Sequence, residues 1–62
     1  MIGKFFTIDR NDGTIIEWIE TETEVKCLGK ISKVTMIQAI KKAKHARVNM
    51  DSNGMEWYVW IR

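Results

Sequence analysis

Five residues in the second half of the chain have the chemistry to neutralise phosphates: Lys41, Lys42, Lys44, His45 and Arg47. Cations spaced along one helix can meet successive phosphates, and each counterion they release favours binding. The Arg47 fork could also read a base edge. The same residues have a purely structural use. Cations in the last turn of a helix are favoured by the macrodipole by about 0.3–1 kcal/mol each, and a solvated face must carry charge in any case. The candidate nucleic-acid-binding residues are Lys41, Lys42, Lys44 and Arg47, with His45 a solvent-facing neighbour.

A second group is aromatic. Tyr58, Trp60 and Arg62 alternate with Trp57, Val59 and Ile61, so on a strand they share one face. If the helix covers only the other face, this row is exposed. Such a row can stack bases or anchor a protein interface. With Phe5, Ile15 and Ile19 it would form an apolar patch of the kind that marks binding sites and dimer interfaces. The interface candidates are Phe5, Ile15, Ile19, Tyr58, Trp60 and Arg62. Burial of both faces within one chain is the competing account. A 62-residue chain with three Trp and two Phe has little capacity for it, because domains of this size bury only roughly 60% of their unfolded surface. A partner is therefore expected, either a second copy in a homodimer or a larger protein.

Other chemistry is absent from the spacing. His45 stands beside no serine, cysteine or carboxylate at catalytic spacing, so no catalytic residue is assigned and the chain is not read as an enzyme. The lone Cys27 alternates with Val25, where a small thiol packs as a core residue. One cysteine and one histidine are too few for a zinc site. Asp9, Asn11 and Asp12 superficially match a calcium loop, but Gly13 comes one residue early and no glutamate stands at the twelfth position. No glycine loop cradles a phosphate. No metal and no cofactor are expected.

The net charge of +2 conceals an asymmetry. Residues 1–29 hold three cations against six anions, a net of −3, and residues 30–62 hold seven against two, a net of +5. The basic half invites nucleic acid, and the acidic half could face it or a second copy. A single thiol suits a reducing cytoplasm. No apolar run approaches the length of a membrane span. The segment Met1-Ile2-Gly3-Lys4-Phe5-Phe6 is expected to be neither a signal peptide nor a myristoylation site.

These residues must be positioned by a small set of elements. The first is a hairpin with the loop Asn11-Asp12-Gly13. A three-residue loop sets Ile8 opposite Ile16, Phe6 opposite Trp18 and Lys4 opposite Glu20. That register puts Phe6, Ile8, Ile16 and Trp18 on the inner face and Phe5, Thr7, Asp9, Ile15, Glu17 and Ile19 on the outer one. Gly13 takes the positive-φ position of the loop. A third strand ends at Gly29. A helix follows, with Thr35 and Gln38 as a capping box. Its apolar side is Met36, Ile37, Ala39, Ile40, Ala43 and Ala46. The last segment is either a terminal hairpin, the preferred reading, or a longer helix through Met50 and one strand. In the hairpin, a two-residue Asn53-Gly54 turn would set Asp51 against Glu56, so a longer loop with Asn49 opposite Glu56 is favoured.

The fold class is α+β: one domain over residues 1–62, an antiparallel sheet of four or five strands with one helix on one face, in the order β-β-β-α-β-β or β-β-β-α-β. The helix followed by a hairpin resembles the recognition helix and wing of winged-helix DNA binders, over less than half of the chain and without the preceding helix of a helix-turn-helix. Two functions follow. One is a small regulatory protein that binds nucleic acid through a basic helix. The other is a modulator or inhibitor that occupies a partner protein's surface through the aromatic face and the acidic hairpin, as small stand-alone domains, those of phages included, often do.

Overall fold

The computed structural model describes residues 3–62; Met1 and Ile2, on which part of the reading of the N-terminal segment rests, lie outside them. The elements are β1 (Gly3–Asp9), β2 (Ile15–Glu20), β3 (Val25–Ile31), α1 (Lys33–Lys42), β4 (Ala46–Met50) and β5 (Glu56–Ile61). All pairings are antiparallel, and the sheet runs β3-β2-β1-β5-β4. β1 is the central strand, hydrogen-bonded on both sides. This is the β-β-β-α-β-β arrangement, with the terminal hairpin formed. The hairpin is no separate wing, because β5 pairs with β1 and both of its strands belong to the one sheet. Among the described residues no helix is long and apolar enough to cross a membrane.

The first hairpin departs from the expected register by one residue. Ile8 pairs with Ile15, Phe6 with Glu17 and Lys4 with Ile19. The loop holds four residues, Arg10 to Gly13, closed by Asp9 N–H to Thr14 O at 2.9 Å. Two carboxylates build it. Asp9 Oδ1 accepts from Asn11 N–H at 2.7 Å, and Asp12 Oδ1 accepts from Thr14 N–H at 2.8 Å. These Asx-type bonds take up the fourth residue, and Gly13 holds the expected positive φ of 76°. Because side chains alternate with a period of two, the slip exchanges the faces of β2. Ile15, Glu17 and Ile19 turn toward the helix, and Ile16 and Trp18 turn away. Lys4 meets Glu17, not Glu20, at 3.2 Å.

The core lies between α1 and the sheet. Phe6, fully buried, packs with Ile15, Met36 and Val59, and Ile8, Ile31, Ala39, Ile40 and Ile61 close around them. Removing the Phe6 ring would cost about 3–5 kcal/mol. The helix does not reach the β4 edge: Val48 pairs with the buried Val59 yet remains 57% exposed. Cys27 is exposed, so it is not the core residue the alternation suggests. β3 runs through Gly29 rather than ending there, and a bulge opposite Glu17 and Trp18 leaves Leu28 without a cross-strand partner.

The helix starts earlier than the capping box indicates. Ser32 is the N-cap, accepting from Thr35 N–H at 3.1 Å. Its hydroxyl also lies 2.9 Å from that of Thr35, so Thr35 supports the cap from inside the first turn. The helix stops at Lys42 because Ala43 is extended and Lys44 N–H bonds to Arg62 O at 2.7 Å. That bond starts the β4–β5 ladder. Ala46 therefore belongs to a strand, and the helix's apolar side ends at Ala43.

In the terminal hairpin Asp51 does stand opposite Glu56, the arrangement the charges argue against. Met50 pairs with Trp57 and Asn49 with Tyr58, and Asp51 N–H bonds to Glu56 O at 3.1 Å. The clash is avoided because the Asp51 carboxylate turns into the loop. Its Oδ1 accepts from Met55 N–H at 2.7 Å and Glu56 N–H at 3.2 Å. Arg10 ties the two loops together, donating to Gly54 O at 2.8 Å.

Candidate functional site

The sheet face away from the helix carries an ordered set of side chains. One row crosses all five strands: Cys27, Trp18, Phe5, Trp60 and Arg47. The next row is Lys30, Ile16, Thr7, Tyr58 and Asn49. Phe5 is the hub. Its ring lies 4.3 Å from Trp60, 6.0 Å from Trp18 at an interplanar angle of 5°, and 6.2 Å from Tyr58. These are offset and tilted arrangements that the ring quadrupoles favour. Phe5 and Thr7 are buried beneath their neighbours, while Trp18, Tyr58 and Trp60 are half-buried. Trp18 Nε1–H donates to Thr7 Oγ1 at 2.9 Å, which fixes one indole on the face.

The interface candidates divide. Phe5, Tyr58 and Trp60 belong to the open face, Phe5 as its floor, and Arg62 stands just past the end of β5 at its corner. Ile15 and Ile19 do not: the β2 register carries them to the helix side, and Ile15 is a core residue. Trp18, assigned to the core by the shorter loop, is the aromatic that takes their place. The two aspartates in the first loop carried the signal, since each can cap a backbone N–H two residues on.

The basic candidates also divide. Only Lys41 and Lys42 lie on the helix. Lys44 is in the connection to β4, and Arg47 is on β4 directly across from Trp60. The exposed helix surface includes Val34 and Ile37 as well as Lys41, so it is not a continuous basic face. The cations gather instead at the corner where β4 begins and β5 ends. A pocket of about 180 Å³ there is lined by His45, Ala46, Arg47, Trp60 and Arg62. The acidic residues Glu22 and Glu24 lie in the β2–β3 turn, with Glu24 bridged to Lys26 at 3.3 Å. The uneven charge of the sequence thus becomes a gradient across the sheet, acidic at the β2–β3 turn and basic at the β4–β5 corner.

Among the described residues no group of three or more His, Cys, Asp or Glu side chains is placed to hold a metal ion. Asp12 has a lowered pKa, chiefly from the Thr14 backbone N–H and then from the Thr14 hydroxyl, but it is a loop-building group. No known protein family, curated protein or solved structure matches this chain.

Proposed function

We propose that this protein is a non-enzymatic regulatory protein that binds single-stranded nucleic acid on the open face of its sheet. A base stacks at Trp60, and Arg47 and Arg62 hold the adjoining phosphates. The observation that carries this reading is the Arg47–Trp60 cross-strand pair, set in a pocket with Arg62 and His45. A half-exposed indole offers a π-face to any base, and flanking guanidinium groups supply the charge. The helix is given no role in reading a duplex groove, because its outward surface mixes apolar side chains with its lysines.

The test is binding of short thymidylate and uridylate oligonucleotides, followed by anisotropy between about 50 and 200 mM salt. Affinity is expected to fall steeply with salt. Trp60→Ala is expected to weaken binding about tenfold, in line with roughly 1–3 kcal/mol per stacked base. A preference for uridylate would report engagement of the 2′-hydroxyl. Binding that ignores both salt and Trp60→Ala would overturn the reading.

A second reading rests on a different observation. Glu56 lies at the margin of the same face, where it repels phosphate and suits a mixed-charge protein surface. On that reading the aromatic face is covered by a larger protein or by a second copy of this chain in a homodimer, and the protein acts as a modulator or inhibitor. Self-association or capture that is indifferent to salt, and abolished by Trp60→Ala, would favour it.

A further inference from the structure

A second concavity lies round the corner from Trp60, on the helix side of the sheet. It is a shallow, wide-open hollow of about 520 Å³ with a floor of Ala39, Ala43 and Ile61. Lys4, Lys42, Lys44 and Arg62 form its rim. Lys4 is already bridged to Glu17. Among the described residues Lys42 and Lys44 have no carboxylate partner, so their charge is available to a ligand.

Arg62 lines both this hollow and the Trp60 pocket. Trp60 is the penultimate residue of β5, and Arg62 follows the strand's last residue, Ile61, two positions on and about 7 Å further along the chain. The helix C-terminus brings Lys42 and Lys44 to the far side of Arg62 because Lys44 and His45 both donate to Arg62 O, at 2.7 and 3.3 Å. The result is a continuous track: the Trp60 indole, Arg62 common to both linings, then two lysines over a small-residue floor.

We infer that a nucleic-acid strand stacked on Trp60 turns round the end of β5 at Arg62 and places its next nucleotides in the lysine-rimmed hollow. The cations there meet backbone phosphates, and the floor of Ala39, Ala43 and Ile61 packs against sugar or base. This inference rests on the open-face reading, and it adds a second subsite with a defined direction of travel. The protein should therefore recognise length. A strand too short to pass Arg62 uses only the first subsite.

The experiment compares a labelled trinucleotide and octanucleotide of thymidylate, on the parent protein and on the double variant Lys42→Gln with Lys44→Gln. The parent is expected to bind the octanucleotide at least about tenfold more tightly at low salt, because the longer strand adds phosphate contacts with Lys42 and Lys44. The double variant is expected to forfeit that gain and to bind the trinucleotide as the parent does. Its salt slope on the octanucleotide should fall by about 1.4, at ~0.7 for each single-strand phosphate that the two lysines no longer neutralise. In parallel, the octanucleotide alone should shift the amide resonances of Ala43 and Lys44 in the parent, which needs no variant. Equal weakening at both lengths, or a length gain that survives the double variant, overturns the inference while leaving the open-face reading in place. Failure of the parent to bind either oligonucleotide overturns both.

Discussion

The indole nitrogen of Trp18 and the hydroxyl of Thr7 are joined at 2.9 Å on the face of the sheet opposite the helix. Thr7 is buried, and its oxygen accepts from a ring that would otherwise need water. Thr7→Val keeps the shape and removes the acceptor. The variant is expected to be less stable by about 1 kcal/mol, measured by urea denaturation, and to free the Trp18 ring. A Thr7→Val protein as stable as the parent, with unchanged tryptophan emission, would mean that the bond does not hold the face.

The helix cap can be tested by contrast. Ser32→Ala removes the oxygen that accepts from Thr35 N–H and should cost about 0.5–2 kcal/mol. Gln38→Ala should stay within about 0.5 kcal/mol, as an exposed substitution does. A larger cost from Gln38→Ala would restore Thr35 as the start of the helix.

Asp12 predicts a pH dependence. Its carboxylate is held below its ordinary value near 3.8 chiefly by the Thr14 backbone N–H and then by the Thr14 hydroxyl, with Lys30 adding a smaller pull. A folded-state pKa below the unfolded one means that the stabilisation is complete above the unfolded value and is lost as pH falls through the folded one. Asp12→Ala should therefore be less stable than the parent at neutral pH, and the two unfolding midpoints should converge in acid. A difference that grows as pH drops would show that the Thr14 bonds do not set this group.

Two cations separate the open face from the helix. Arg47→Ala should reduce the salt slope of oligonucleotide binding by about 0.7, whereas Lys41→Ala should leave it nearly unchanged. The reverse pattern, read by anisotropy over the same salt series, would return the activity to the helix.

The face exchange in β2 explains how the sequence could be right about the kind of fold and wrong about part of its surface. Alternation in residues 3–9 and 56–61, Gly13 as a loop glycine and the periodicity around Met36 each depend on local chemistry, and all appear in the structure. The number of loop residues depends on where two short carboxylates send their oxygens. One extra residue there moved Trp18 to the open face and Ile15 to the core.

Legible from residue order were the element types, the single helix with an apolar side, the segregation of charge and the placement of Tyr58 with Trp60 on one face. Each follows from side-chain period, turn residues or charge within a stretch of chain. The position of β1 between β2 and β5 was not legible, because strand order depends on which distant segments share the core around Phe6. Nor was the departure of Arg47 from the helix to stand across from Trp60. The cause is long-range: the backbone N–H groups of Lys44 and His45 find their acceptor in Arg62, at the other end of a hairpin. No local propensity at residues 44–47 encodes the position of that carbonyl.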